Sequence, residues 1–220
     1  LAACSGASPT PNSTVLLAAA ATKLAADTSF HFTIKEDHGG TPSGANTDIA
    51  SAEGDVIKDV AKQDNRMSAT ADVTTMFGLI KGIQVIVVND KAWAKTPLTG
   101  GQFQSADEYQ GVGEFLAAGI PVILASLKGV GAASDGSANG VSSWKIPAKI
   151  SSDQLSALTQ GQVPAGQQIP VNLYIGKDDG QLRAVAIPGK LTSFDTDQTL
   201  RTIYLSSFDE SVTISPPPGA

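Results

Sequence analysis

The sequence predicts an α+β domain in which a single curved antiparallel β-sheet carries helices against one face. Three observations predict this fold. The opening segment has apolar residues at helical spacing, the segments after it alternate with a period of two, and an uncharged helical stretch interrupts the strands. The resulting order is one helix, about five strands, a helical segment, one strand, a short helix and three strands.

The first half of the chain is predicted to form a helix followed by a meander of short strands. Ser13 or Thr14 is expected to cap a helix over Val15 to Ala26. The apolar stripe of this helix consists of Leu17, Ala20, Ala21 and Leu24. The next segment alternates apolar and polar side chains, which indicates a half-buried strand whose apolar members are Phe30, Phe32 and Ile34. Four more strands are predicted over residues 48–60, 66–75, 83–88 and 91–96.

Two apolar segments stand out in the middle of the chain. Ile83 to Val88 is apolar on both faces apart from Gln84, which predicts a central strand. The stretch from Phe115 to Leu127 carries no charge on any face, so it is predicted to be a helix, or a pair of helices, that Gly119 and Pro121 kink or split. Residues 100–113 and 129–140 are predicted to be loops.

The second half of the chain returns to strands. One strand places four apolar side chains on one face, namely Trp144, Ile146, Ala148 and Ile150. Ser151 or Ser152 is expected to cap a short helix that carries Leu155 and Leu158. Asp178-Asp179-Gly180 strongly predicts a hairpin turn between two further strands, because glycine tolerates positive φ. The last strand is predicted over residues 199–208.

Composition excludes several classes of protein. The net charge is −6 and the lysines are scattered, so nucleic acid is not an expected partner. The only cysteine, Cys4, can form no internal disulfide. The longest uncharged apolar run, Phe115 to Leu127, is shorter than the roughly 20 residues that a spanning helix needs.

The sequence contains no recognisable catalytic or metal-binding pattern, so we predict no enzyme activity, no metal and no cofactor. His31 and His38 are the only histidines, and they do not form a ligand or triad pattern. The acidic pairs Asp178/Asp179 and Asp195/Asp197 are interpreted as solvated turn residues. The tryptophans Trp93 and Trp144 are interpreted as core residues. The lysines Lys23, Lys58 and Lys81 are candidate contacts for anionic head groups.

The first residues resemble the end of a bacterial lipoprotein signal peptide. Leu1-Ala2-Ala3 precedes Cys4 and Ser5-Gly6 follows it, the pattern of a cleavage site whose cysteine becomes the acylated first residue. Acyl chains such as palmitate on Cys4 would anchor the protein to the outer face of the cell membrane. The competing interpretation is a chance Leu-Ala-Ala-Cys in an alanine-rich chain.

From about Leu16 to Pro217 the chain resembles the LppX/LprA/LprF/LprG lipoproteins, which share a fold with the Lol-type lipoprotein carriers. The resemblance lies in the order of elements and in local phrases. These are Ser29-Phe30-His31-Phe32, Ala52-Glu53-Gly54-Asp55, Asn89-Asp90-Lys91-Ala92-Trp93, Ile123-Leu124-Ala125-Ser126-Leu127, and Pro170 to Ile175 continuing through Asp179-Gly180-Gln181-Leu182. It implies a half barrel whose helices cover the concave face and enclose an apolar cavity. The implied activity is to bind an acylated lipid or glycolipid and carry it between envelope membranes.

On this basis the chain divides into a lipobox remnant and flexible tether over residues 1–12, a lipid-binding half-barrel domain over 13–215 and a Pro-rich tail over 216–220. The expected cavity lining is drawn from both layers. From the helices it comprises Phe115, Leu116, Ile120, Ile123 and Leu127. From the sheet it comprises Val85, Val87, Trp144, Ile146, Leu173 and Ile175. For any one of these residues, ordinary core packing is the competing interpretation, and strand parity is left open because a one-residue slip exchanges the two faces.

Three functions follow as alternatives. The first is an extracytoplasmic lipoprotein that carries a lipid or glycolipid, with the membrane and an envelope lipid transporter as partners. The second is an interaction or sensor lipoprotein with a packed core that binds a protein. The third is a hydrolase with an unrecognised site, which the scarcity of histidine argues against.

Overall fold

A computed structural model describes residues 11–42, 47–59, 64–89, 91–155, 163–192 and 195–219 of the 220-residue chain. Cys4 and Leu158 lie outside the described residues, as does most of the predicted tether.

Within the described ranges, eleven antiparallel strands form one sheet in the order β6-β5-β4-β3-β2-β1-β11-β10-β9-β8-β7. The first six strands are β1 Ser29–Asp37, β2 Thr47–Asp59, β3 Asp64–Thr75, β4 Gly78–Val88, β5 Lys91–Lys95 and β6 Gln104–Ser105. The other five are β7 Ser134–Ala138, β8 Val141–Ser151, β9 Gln168–Gly176, β10 Leu182–Pro188 and β11 Leu200–Ser206. The helices are α1 Ser13–Ala26, α2 Gln110–Glu114 and α3 Ile120–Ser126, with a π-helical turn over Phe115–Gly119.

The strand order divides the sheet into two wings that meet where β1 pairs with β11. Strands β1 to β6 form one wing, and β7 to β11 form the other. The two edge strands, β6 and β7, are consecutive in the chain, so the segment between them must cross from one edge of the sheet to the other. That segment contains α2, the π-helical turn and α3. The sequence-based prediction of one curved antiparallel sheet with helices against it is confirmed.

The first helix begins two residues earlier than its predicted start. The side chain of Asn12 caps α1 by accepting hydrogen bonds from the backbone N–H groups of Thr14 (3.0 Å) and Val15 (3.2 Å). The prediction that Ser13 or Thr14 caps the helix is therefore wrong, because the cap is Asn12. The predicted stripe is buried at Leu17, Ala20 and Leu24, and Ala21 is half-buried.

The crossing segment is one continuous helical path rather than two helices. The backbone N–H of Ile120 reaches the carbonyl of Phe115, five residues back, which is the bond of a π-helical turn. Pro121 follows at the start of α3 and donates no backbone hydrogen bond. The wider turn therefore accommodates the proline where the sequence predicted a kink or a split. Among the described residues, no helix is long and apolar enough to cross a bilayer.

Three strand predictions need correction. The predicted loops over 100–113 and 129–140 contain the edge strands β6 and β7, whose sequences show no apolar alternation. The strand over 83–88 is not central, because β4 lies third from one edge of the sheet. It is also not buried on both faces: Val85 and Val87 are buried, whereas Gln84 is exposed and Ile86 is half-buried.

The Asp178-Asp179-Gly180 hairpin is confirmed, with Gly180 at φ +67° between β9 and β10. A register shift between Leu182 and Ala184 then changes the parity of β10. As a result, Val185 and Ile187 share the inward face with the buried residues of β9.

Gly54 is a position where the sheet requires the absence of a side chain. An added Cβ would lie 2.1 Å from the backbone oxygen of Ser68 in β3. We therefore expect Gly54→Ala to lower the free energy of unfolding by about 1–3 kcal/mol through overpacking. Chemical denaturation checks this, with Glu53→Ala, an exposed change in the same strand, as the control. Equal stability of the two variants would contradict the packing described here.

Candidate functional site

A largely apolar cavity of about 240 Å³ lies between the two wings, at the end of the sheet where β3 turns into β4. Both wings contribute to it: Ile34, Val73 and Ile83 come from one, and Ile187 and Ile203 from the other. The complete lining is Ile34, Thr47, Asp48, Ile49, Val73, Thr75, Ile80, Ile83, Thr96, Tyr109, Leu155, Ile187, Leu191, Thr192, Arg201 and Ile203.

The cavity reaches the protein surface on the β2–β5 side. Eight of its lining residues are only half-buried, and four of these, Thr47, Thr75, Ile80 and Thr96, lie at or near the ends of β2, β3, β4 and β5 on this side. We refer to these four residues as the mouth. Register shifts in the β2–β3 and β3–β4 pairs lie just inside the mouth. Such shifts bend a strand and increase its twist, which helps to separate the wing from the opposite wall here.

A second, much smaller void of about 20 Å³ lies beneath the crossing helix. This volume is about that of one water-sized sphere, so the helix and the sheet are closely packed here. Three side chains, those of Leu155, Ile187 and Ile203, line both the void and the larger cavity. The void and the cavity are therefore neighbouring parts of one apolar interior space, which we call the seam, and these three side chains separate them.

The structure brings five of the eleven predicted lining residues to the small void, namely Phe115, Ile120, Ile123, Leu127 and Leu173. Four others, Leu116, Val85, Ile146 and Ile175, are buried in the hydrophobic core and line neither the void nor the larger cavity.

The last two predicted lining residues lie away from the seam. Val87 packs against the backbone of α2, where a Cβ added to Gly113 would be 3.1 Å from Val87 Cγ1. Trp144 is half-buried, and the Lys177 ammonium lies 4.2 Å from its ring centroid.

The larger cavity contains none of the eleven residues, so sequence reasoning missed its position. One signal was available, because Ile34 continues the inward parity of Phe30 and Phe32 towards that end of β1. The other walls depend on bulges in β2 and β3, which the sequence does not mark.

A buried ionic cluster closes the cavity at the end of β1. Glu36 of β1 and Arg201 of β11 lie directly opposite each other in the sheet. Arg201 Nη2 lies 2.5 Å from Glu36, 2.7 Å from Asp48 and 2.7 Å from Asp195. The Asp195 side chain is completely buried and also accepts hydrogen bonds from the backbone N–H groups of Leu191 (2.8 Å) and Thr192 (2.6 Å). The prediction that Asp195 is a solvated turn residue is therefore wrong.

The pKa values of two carboxyl groups in the cluster, those of Glu36 and Asp195, are shifted in opposite directions. Burial raises the pKa of Glu36 to about 8, and a hydrogen bond with Asp48 and the charges of Asp48 and Asp195 add to this despite the attraction of Arg201. Burial also acts to raise the pKa of Asp195, but hydrogen bonds from Arg201 and from the backbone of Thr192 and Leu191 lower it below its usual value. At neutral pH, Glu36 is therefore protonated and Asp195 is ionised.

The three carboxyl groups of Glu36, Asp48 and Asp195 are close enough together to offer oxygen ligands to one cation. The position between them is already taken by Arg201 Nη2, which contacts all three. The arginine thus provides the positive charge that a metal ion would otherwise supply. We interpret the group as an ion-paired cluster of the cavity wall.

A wider cleft of about 720 Å³ lies at the opposite end of the strands, between α2, α3 and the ends of β2 and β4. Its lining includes Lys58, Glu114, Gln110 and Asn65 as well as small apolar residues. Because it is more open to solvent and its otherwise apolar lining includes the charged groups of Lys58 and Glu114, it suits an acyl chain less well than the more enclosed cavity does. The histidines contribute to neither site. His31 lies on the outer face of β1 with Nδ1 2.9 Å from Asp55.

Comparison with known proteins agrees with this architecture. The sequence profile of the LppX_LprAFG lipoproteins matches residues 12–214, so the chain belongs to this lipoprotein family. The crystal structure of LprF from Mycobacterium bovis superposes with a TM-score of 0.72 at 18% identity, covering 97% of this chain and 100% of LprF. The crystal structure of LppX from Mycobacterium tuberculosis gives a TM-score of 0.59 at 21% identity, covering 93% of this chain and 100% of LppX. A search of curated protein sequences finds no match.

The raised pKa of Glu36 predicts a pH dependence of stability. Between its usual pKa of 4.5 and about 8, the folded state keeps a proton that the unfolded state releases. The free energy of unfolding should therefore fall as pH rises through this window, by at most about 1.4 kcal/mol per pH unit and by less where water screens the cluster.

Denaturant unfolding of Glu36→Gln checks this prediction. The glutamine variant should lose this slope between pH 5 and 8 and become the more stable protein near pH 8. The depressed pKa of Asp195 acts below this range, because its stabilisation is lost only as pH falls through its folded pKa. Parallel curves for wild type and Glu36→Gln would contradict the assignment, with the exposed Glu53→Gln as the control.

Proposed function

We propose that this lipoprotein binds an acylated lipid or glycolipid in its interior cavity and carries it between membranes of the cell envelope. The observation that carries the proposal is the enclosed, mostly apolar cavity of about 240 Å³ with a mouth at the surface. A cavity of 150 Å³ in another protein is enough to hold benzene, so this one has room for several methylene groups. An interaction or sensor lipoprotein with a packed core has no need of such a space, and the cavity therefore favours the carrier over the protein-binding alternative.

The affinity would come from burial of the acyl chain. Each methylene removed from water contributes about 0.8 kcal/mol, so a chain can bind tightly without a polar partner. The cavity and the void beneath the helix are separated only by Leu155, Ile187 and Ile203. Movement of these side chains would let one tail extend from the mouth towards Phe115 and Ile123. In this way the predicted helix residues would line the far end of the site.

The polar part of the cavity suggests what kind of head group would suit it. Arg201 is already paired with carboxylates, so it offers no free positive charge to a phosphate. The hydroxyl oxygen of Thr192 is buried at the cavity without a hydrogen-bond partner among the described residues. A neutral, hydroxyl-bearing group such as a sugar or glycerol could pair with it and with Asp48.

The proposed cellular setting is supported by the lipoprotein family and by the Leu-Ala-Ala-Cys pattern at Cys4. We propose that Cys4 is acylated and holds the domain at the outer face of the cell membrane. In this arrangement the domain would receive its lipid from the membrane or from an envelope lipid transporter. We assign it no catalytic role.

Native mass spectrometry tests the proposal. The protein is produced without acylation as Cys4→Ser, stripped of lipid, and incubated with diacylated glycolipids in micelles. We expect a one-to-one complex that survives transfer into the gas phase. If the protein emerges without bound glycolipid, the carrier proposal is wrong.

A substitution at the mouth gives the matched test. Ile80→Trp should fill part of the cavity and displace at least two methylene groups, so lipid affinity should fall about ten-fold or more. The control is Val15→Trp, at a valine of α1 that is 65% exposed and lines neither the cavity nor the wider cleft. Thermal unfolding should show both variants folded. Equal lipid binding by the two variants would place the ligand elsewhere.

A further inference from the structure

Large apolar side chains are exposed together at one place on the molecule. Among the described residues, Phe77 is 90% exposed, Leu98 is 82% exposed, and Met76 and Leu79 are each 48% exposed. We call these four residues the apolar tip. The remaining exposed large apolar residues, Val15, Val122 and Val141, lie in three separate elements. Scattered apolar side chains are normal on a protein surface, whereas a group of four calls for a partner.

The backbone holds the tip in position through local hydrogen bonds. In the turn between β3 and β4, the hydroxyl of Thr75 donates to the carbonyl of Gly78 (2.9 Å) and accepts from the backbone N–H of Phe77 (3.1 Å). Gly78 has φ +113°, which an amino acid with a side chain rarely adopts. The exposed position of Phe77 is therefore fixed by the hydrogen-bonded turn.

Leu98 is presented by a second turn, which contacts β4, the strand that begins at the first turn. This second turn is a 3₁₀ turn over Pro97–Thr99. The turn has a capping box: Leu98 N–H donates to Thr96 Oγ1 (3.1 Å), and Thr96 N–H donates to Thr99 Oγ1 (3.1 Å). The outward position of Leu98 is thus also set by hydrogen bonds.

The apolar tip borders the mouth of the cavity. Thr75 and Ile80, two of the mouth residues, flank Met76, Phe77 and Leu79 directly in the sequence. Thr96, another mouth residue, precedes Leu98 by two positions. Whatever binds the tip is therefore brought against the opening of the apolar interior.

The charges beside the tip suit the surface of a membrane. Lys81 is exposed in β4, and the Lys95 ammonium lies 5.9 Å from the ring of Phe103. Asp72 is the acidic neighbour, and its carboxylate accepts a hydrogen bond from the backbone N–H of Gly82 (2.9 Å). Apolar side chains that project from turns, followed by lysines, match the boundary between acyl chains and anionic head groups. A protein partner would need a pocket for each of these side chains, whereas a bilayer accepts them without one.

We infer that the apolar tip inserts into the surface of a lipid bilayer and holds the mouth of the cavity against it. A tail could then move between bilayer and cavity without crossing water. The docking itself follows from the tip alone, whereas its use in lipid transfer rests on the proposed function. Because the whole chain carries a net charge of −6, the contact must depend chiefly on the apolar side chains.

The test is binding to vesicles of phosphatidylcholine with phosphatidylglycerol, measured by flotation with the full chain carrying Cys4→Ser. We expect wild type to float with the vesicles, and Phe77→Ser with Leu98→Ser to bind about 100-fold more weakly, or roughly ten-fold for each side chain. The matched control is Val15→Ser with Val122→Ser, at residues 65% and 63% exposed. This control should float like wild type.

A second readout separates the two proposals. Loading of lipid from micelles, followed by native mass spectrometry, should be unchanged in the Phe77→Ser, Leu98→Ser variant, because neither side chain lines the cavity. Membrane docking is overturned if wild type does not float, if the tip variant floats as well as wild type, or if the control loses binding to the same extent. An empty cavity in every variant would overturn the proposed function while leaving the docking result intact.

Discussion

The fold depends on one topological constraint: the chain must pass from one edge of an open sheet to the other. Strands β6 and β7 are consecutive in the sequence and lie at opposite edges of eleven strands. The segment that joins them crosses the concave face, and its portion from Phe115 to Leu127 carries no charge. Burial of this segment against both wings removes apolar surface from water on the helix and on the sheet together. The same crossing encloses the interior and separates it from solvent.

Because one segment covers so wide a sheet, the interior is unevenly filled. Beneath the helix the side chains leave only about 20 Å³, whereas the end near the β3–β4 turn leaves about 240 Å³. The ionic cluster around Arg201 forms the polar wall of that end. Burying four ionisable groups beside an apolar space is costly unless each is paired, and the protonation of Glu36 reduces that cost at neutral pH. The apolar tip then places exposed Phe77 and Leu98 beside the opening. Apolar interior, polar wall and exposed tip are therefore features of one end of the molecule.

The sequence predicted those features that local patterns determine. Alternation of Phe30, Phe32 and Ile34 predicted β1, and glycine at position 180 predicted the hairpin between β9 and β10. The edge strands β6 and β7 were not predicted, because they are short and polar. Pairing with a neighbouring strand holds them in place, and they present no apolar face. The helix was predicted, but its π-helical turn was not. That turn depends on how the continuous helix accommodates Pro121, which local patterns do not show.

The site was harder to predict because its parts meet only in three dimensions. Glu36 and Asp48 come from one part of the chain and Asp195 and Arg201 from another, and no local spacing links the two pairs. Asp195 looked like an ordinary turn residue for that reason. The position of the cavity depends on where the wings separate, which bulges in β2 and β3 influence and composition does not reveal. Exposure of Phe77 is equally invisible in the sequence, where an apolar residue beside a strand is read as part of the core.

The central claim is that an acyl chain enters the space between the wings. Photo-crosslinking tests it most directly, with a glycolipid that carries a diazirine in the middle of one acyl chain. Peptide mapping after irradiation should place the label on the interior side chains Ile34, Ile83, Ile187 and Ile203. Label found only on exposed residues such as Phe77, Leu98 and Val122, with these four isoleucines unmodified, would contradict the account.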